Sequence, residues 1–316
     1  MTDHPVISIR AEAIGEATPE TARSRVPADA RHCDRTVLPD LCGLEAVQAQ
    51  LADVIAVLEA EQSRRSAGAL ITRAAWKNLV FTGGPGTGKS RTAAAVARAY
   101  QRLGVLPSAH VTEVAALDLV GTGPAETGML VAEAIKYGTG GIVMITDAHA
   151  WHRQPDHGRH VLRRLYEQLT KYRNEMRDNL AVILAGQRDP LRHMLHDNQP
   201  LADRFRAIID FPAYTPGQLA TVFTVLVGEA GLTLTTAAAR KAAEVLAQAE
   251  TATESGNARL TVRLLAQATA LQGRRLTAMP QRHDPALLTT LTDSDIPDHL
   301  PAVSPARDED YPGQYL

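Results

Sequence analysis

The chain has 316 residues, which suits one large domain or two smaller ones, and 45% of them are hydrophobic, enough for a substantial core. A formal charge of -2 gives no electrostatic reason to expect a nucleic acid partner, and no run approaches transmembrane length, which speaks against a membrane partner. The start of the chain has no apolar leader, and two cysteines, Cys33 and Cys42, are too few for a disulfide framework, so reduced thiols in a cytoplasmic protein are the expectation.

Residues 1–36 show no sustained periodicity and carry Pro5, Pro19 and Pro27 among charges, so they read as a flexible arm. Leu44, Val47, Leu51, Val54, Ile55 and Leu58 then fall at helical spacing. The charged stretch Glu59 to Arg65 reads as a separator before the next strand, Asn78 to Thr82.

That strand runs into Gly83-Gly84-Pro85-Gly86-Thr87-Gly88-Lys89-Ser90, which fits the phosphate-binding pattern G-x-x-x-x-G-K-[ST]. An Ala-rich helix follows from Ser90 to Tyr100. Strand, glycine loop and helix N-terminus are what phosphate binding requires. Glycines let backbone N–H groups close around phosphates, and the helix end adds partial positive charge. Lys89 would reach the terminal phosphates of a nucleoside triphosphate, and the Ser90 hydroxyl would ligate Mg²⁺. Lysine occurs elsewhere only at Lys77, Lys136, Lys171 and Lys241, so Lys89 is not one of many surface lysines.

Beyond this loop, strands are predicted at His110–Val114, Gly141–Thr146, Leu180–Ala185 and Ala207–Phe211, with helices between them, including Val161–Met176. Continuous apolar strands alternating with helices predict a parallel sheet covered on both faces. From Thr215 onward strands are expected to stop. Helices are predicted near 216–230, 235–250 and 257–272, followed by a Pro- and Asp-rich tail with a short helix near Leu287. The expected fold class is α/β, a P-loop parallel sheet followed by a small all-α lid. Its expected parts are an arm (1–36), a nucleotide-binding domain (37–212), a lid (213–275) and a tail (276–316). His149 and His152, and His157 and His160, are spaced three apart, but Pro155 and Gly158 interrupt the stretch, which reads as a polar loop beside the nucleotide site rather than a metal centre.

The ordered segments LCGLEAV, GGPGTGKS, DLVG, GGIVMI, VILAG, LADRF, IDFPAY and SGNAR resemble one group of AAA+ ATPases. That group contains red-type Rubisco activases, stage V sporulation protein K and the ATPase component of type VII secretion. The resemblance covers roughly residues 38–275 and implies an ATPase that assembles into a ring, as a homo-oligomer or mixed with a paralogue, and remodels a partner protein.

The resemblance also implies roles for particular residues. Gly43 and Leu44 would border the adenine base, although a Gly-Leu turn serves equally to lead into a helix. Arg204 would be the arginine finger reaching a neighbouring subunit's nucleotide, with Arg206 as a competitor. Arg259 would be the sensor 2 arginine, with Arg263 one turn later, and Gln187 is the polar candidate for sensor 1.

Two family positions depart from the pattern. The family ends its third core strand in Asp-Glu, whereas this chain reads Thr146-Asp147-Ala148. Without a gap, Asp147 falls on the Glu and Thr146 on the Asp; slipped by one, Asp147 is the metal carboxylate and Ala148 replaces the base. Either way one carboxylate of two is left. Mg²⁺ binding tolerates that better than turnover, because a general base contributes about 10²–10⁴-fold. Gly123 stands where protein-pulling members carry an aromatic, and Ala116 stands where activases have an Arg, so Rubisco is not implied as partner. A slow or partner-dependent ATPase is therefore expected, with a hydrolysis-deficient, nucleotide-gated scaffold as the alternative. A small-molecule kinase fits the helical C-terminal region poorly.

Overall fold

The computed structural model describes residues 10–11, 41, 43–69, 77–153, 155–174, 179–205, 207–252, 256–279 and 284–300. Cys33, Cys42, Arg206, most of the arm and residues 301–316 lie outside them. The chain divides into two compact units at Ala213/Tyr214.

In the first unit, β2 (Leu79–Gly83), β3 (Val111–Ala115), β4 (Ile142–Thr146), β5 (Ala181–Gly186) and β6 (Ala207–Phe211) form a parallel sheet in the order β3-β4-β5-β2-β6. A two-residue strand, β1 (Arg10–Ala11), adds antiparallel to the outer edge of β3, within the segment read from sequence as an arm. Side chains alternate between the faces of each strand. Val80, Val114, Val143, Ile145, Val182 and Leu184 join one core with α3 (Pro124–Tyr137), α4 (Pro155–Asn174), α5 (Arg188–His196) and the short α6 (Gln199–Ala202). The buried residues of α2 (Lys89–Arg102), among them Ala93, Val96 and Tyr100, lie outside that cluster, so α2 covers the opposite face against β3 and β4.

Two sequence expectations need correction here. Glu59 to Arg65 is no separator: α1 (Glu45–Ser66) runs through it, with Glu61 buried and bonded to Arg65 one turn on. α1 also guards the sheet edge. The Gln50 amide donates to the Asp210 carbonyl (3.3 Å) and accepts the Asp210 N–H (2.9 Å), occupying groups on β6 that an edge strand leaves unpaired. The polar-loop reading of His149–Arg159 also fails in part, because α4 starts at Pro155 and carries His157 and His160. Proline is tolerated in a first helical turn. Gly158 is needed there because a Cβ would come within 2.6 Å of the Trp151 carbonyl.

The second unit packs α7 (Pro216–Glu229), α8 (Thr236–Ala252) and α9 (Ala258–Thr277). Thr215 and Gln218 form a reciprocal capping box at the start of α7. The sequence expectation that strands stop from Thr215 onward fails, since β7 (Thr233–Leu234) pairs in parallel with β8 (Thr290–Leu291). α10 (Pro285–Leu288) is the short helix expected near Leu287. Residues 284–300, read as tail, are folded onto the helices, with Leu291 and Ile296 buried. The Gln272 amide donates to the carbonyls of Leu288 and Thr290, and Arg275 makes a two-pronged pair with the buried Asp295. Among the described residues, no helix is long and apolar enough to cross a membrane.

Candidate functional site

The glycine loop leaves β2 at Gly83 and ends where α2 begins, at the carboxyl ends of the parallel strands, where open α/β sheets bind ligands. Gly86 and Gly88 have φ of 71° and 89°, a left-handed backbone that side-chain-bearing residues rarely adopt. Gly83 is required for another reason. It pairs with Phe211 across β2 and β6, and a Cβ on it would lie 2.5 Å from the Phe211 carbonyl oxygen. Gly83→Ala is therefore expected to cost about 1–3 kcal/mol of overpacking and to loosen the loop, read as a lower Tm together with weaker nucleotide binding. The Lys89 ammonium donates to the carbonyls of Gly83 (3.0 Å) and Gly84 (2.6 Å), and the Thr87 hydroxyl donates to Gly84 (2.8 Å). The cation is thus held at the loop's own mouth, and Ser90 next to it is exposed.

At the end of β4, Thr146 lies on the strand face of Ile142 and Met144, opposite Val143 and Ile145 and so on the side covered by α2. Asp147 has left the strand with φ of 52°, and its carboxylate is 77% exposed. Thr146 thus holds the last in-strand position and Asp147 the first position beyond it. His149, unremarked as a site residue in the sequence, folds back from the following 3₁₀ turn. Its Nδ1 accepts the Gln187 N–H at 3.3 Å and lies 3.9 Å from Asp147 Oδ1. Burial pushes its pKa down; Asp147 opposes this, while Arg153 and Lys89 add to it, so the ring is held neutral near pH 7. The Gln187 side chain itself is exposed at the start of α5.

One strand over, the register places Thr82 beside Asp210. The Thr82 hydroxyl donates to the Asp210 carboxylate, which also pairs with Arg188 (2.5 Å) and Arg192 (3.6 Å). This polar set beside the loop joins residues 128 apart in sequence.

The other sequence candidates fall elsewhere. Gly43 adopts φ of 82° in the turn before α1, with the Leu44 N–H and the Gln48 amide both donating to the Leu41 carbonyl. Arg204 is packed on α4, donating to the Thr170 hydroxyl (3.1 Å) with its guanidinium 5.3 Å above the Tyr166 ring, and so is not gathered with the glycine loop of its own chain. Arg259 is exposed on the first turn of α9 in the second unit. Gly123 caps α3 with nothing within 4 Å of a Cβ built on it. Beside it Glu126 accepts the Thr122 N–H and hydroxyl, which hold its carboxyl below the usual range.

Residues 79–213 match the family model described as "ATPase family associated with various cellular activities (AAA)", and residues 215–306 match the AAA lid domain. The chain is a member of the AAA+ ATPase family. The matched lid reaches past 275, in keeping with the folded 284–300 segment. This AAA+ protein is 29% identical to protein CfxQ of Xanthobacter flavus, over 81% of its own length and 80% of the relative's. It is also 29% identical to the chloroplastic ribulose bisphosphate carboxylase/oxygenase activase of Cyanidioschyzon merolae, over 76% of its length and 82% of that protein. Among solved structures, the FIGL-1 AAA domain with ADP matches with a TM-score of 0.53 at 17% identity, covering 81% of this chain and 80% of that one; this is a likeness of fold.

The loop fits the nucleotide that the family implies: its glycines leave room for phosphates, and its lysine is already at the mouth. Among the described residues, no group of three or more His, Cys, Asp and Glu could hold a metal by itself. Mg²⁺, which usually takes one or two carboxylates plus phosphates and waters, would rely on Ser90, the nucleotide and, in the slipped register, Asp147.

Proposed function

We propose that this protein binds Mg²⁺–ATP at the glycine loop and hydrolyses it slowly or under a partner's control, acting as an oligomer on another protein. The observation that carries the reading is the end of β4. Thr146 occupies the in-strand position, and Asp147 is the one carboxylate there, turned outward at positive φ. Bound Mg²⁺–ATP would supply the phosphoanhydride and neutralise part of its charge. The chain's own groups do the rest. Lys89 exchanges the Gly83 and Gly84 carbonyls for phosphate oxygens, the start of α2 adds its N–H groups, and Asp147 takes a proton from the attacking water. Gln187 is assigned to orienting that water, Gly43 and Leu44 to the base, and Arg259 to the sensor 2 role.

The packing of Arg204 on its own α4 supports action in trans, on a neighbouring subunit's nucleotide. Ring members of this chain alone, or of this chain with a paralogue, both satisfy that arrangement. The relative named a ribulose bisphosphate carboxylase/oxygenase activase supports a protein as the thing acted on. Gly123 offers no side chain for pulling, which favours remodelling by docking over threading and keeps the nucleotide-gated scaffold as the second reading.

Steady-state ATP hydrolysis across a range of protein concentrations tests the proposal. Turnover per chain should rise with concentration. Asp147→Asn should lower it by roughly 10²-fold or more with ATP affinity preserved, and Thr146→Asp should raise it. Turnover indifferent to Asp147 would remove the assigned base. ATP retained by the wild type with no turnover at any concentration would select the scaffold.

A further inference from the structure

The ends of β4 and β5 are joined by a side chain that the nucleotide reading does not use. His149 reaches across to the start of α5, where its Nδ1 accepts the backbone N–H of Gln187, 38 residues away. The fit is close. A Cβ on Gly186 would lie 3.0 Å from His149 Nδ1 and 3.1 Å from the His149 backbone nitrogen, so a side chain there would press His149 away by a few tenths of an ångström. Because Nδ1 is taken up as an acceptor, the neutral ring carries its proton on Nε2 and donates nothing to Asp147 through the near nitrogen, 3.9 Å away. The imidazole is 12% exposed, whereas the Asp147 carboxylate beside it is 77% exposed. A nearly buried ring thus anchors a turn whose one carboxylate is open to solvent and whose backbone sits at positive φ.

We propose that His149 is a positioning residue: by accepting the Gln187 N–H it holds the Asp147 turn at the end of β4 in fixed relation to the end of β5. The two groups assigned to the attacking water, Asp147 and Gln187, follow different strands, β4 and β5. The bond adds a directional polar link to the packing that joins the 3₁₀ turn to α5, with Ala148, Trp151 and Leu191 in one core. The consequence for turnover rests on the proposed ATPase reading, but the bond itself does not.

The test compares two variants of the full chain. His149→Phe keeps a ring of similar bulk and removes the acceptor; His149→Asn places a carbonyl oxygen close to where Nδ1 stands. Amide hydrogen exchange at Gln187 should quicken on the order of tenfold in His149→Phe and stay within about threefold of wild type in His149→Asn. In parallel, kcat for ATP should fall on the order of tenfold in His149→Phe with KM little changed, and be largely restored in His149→Asn. Unaltered Gln187 exchange in His149→Phe overturns the proposal, as does an Asn variant impaired as much as the Phe one. If the wild type shows no ATP turnover, the ATPase reading fails by itself, and the exchange at Gln187 still decides the role of His149.

Discussion

Lys89→Ala is expected to abolish measurable ATP turnover, with a loss of at least roughly 10²–10³-fold, the scale of removing one preorganised group that meets developing charge. The geometry explains why nothing substitutes for it. The ammonium is bonded to the carbonyls of Gly83 and Gly84, so it is the one lysine that the loop itself holds at the phosphate site. Arg91, the next cation along α2, is exposed and belongs to the helix rather than the loop. Lys89→Arg should fail nearly as badly, because a planar guanidinium does not fit between two closely spaced carbonyls as a compact ammonium does. Fluorescent-nucleotide titration alongside turnover gives the measurement. Wild-type affinity and rate in Lys89→Ala would mean that the glycine loop is not the nucleotide site.

Asp295→Ala is expected to unfold the second unit preferentially, at a cost of about 3–5 kcal/mol. Asp295 is fully buried; its two oxygens take Arg275 Nε and Nη2, both at 2.8 Å, and Oδ2 also accepts the Thr292 N–H and hydroxyl. Removing the carboxylate strands a guanidinium that is only 15% exposed. Replacing both partners with apolar residues, Asp295→Leu with Arg275→Met, should recover most of the loss, since a buried pair does little better than good packing. Both tryptophans, Trp76 and Trp151, precede Tyr214. Far-UV circular dichroism should therefore show an early transition in Asp295→Ala that tryptophan fluorescence does not. Coincident, unshifted transitions would mean that the 284–300 segment does not hold the lid together.

The same pair sets a pH dependence. Burial pushes the Asp295 carboxyl up, but Arg275 and Thr292 overcome it and hold it below the usual carboxylate range. A folded-state pKa below the unfolded one means that the unfolded chain binds more protons, so stability rises with pH through that interval. The contribution is complete above the unfolded value of about 3.9 and is lost as pH falls through the lower folded value. Wild type and Asp295→Ala should thus differ in lid stability at neutral pH and converge in strong acid.

Much of this molecule is readable from local chemistry. The glycine pattern, with Lys89 and Ser90 after an apolar run, specifies strand, loop and helix because each glycine answers to the backbone geometry at its own position. Continuous runs such as Ala181–Gly186 announce strands buried on both faces, since no polar residue relieves either side. Those signals, with the helical spacings after Thr215, were enough for an α/β nucleotide domain followed by a helical lid. What needed the tertiary structure joins residues distant in the chain. The sequence leaves open how the end of β4 is built, and only the fold shows Thr146 sharing a face with Met144 while Asp147 turns out at positive φ. His149 gains its role from a backbone N–H 38 residues away, and Asp210 from a hydroxyl 128 residues earlier. The 284–300 segment looked like tail because its prolines and aspartates favour turns over periodic structure, and two-residue strands are too short to show a period. Asp295 looks like any surface carboxylate until folding buries it against Arg275. Periodicity reports the local backbone; which polar groups become partners depends on packing, and packing is set by the whole chain.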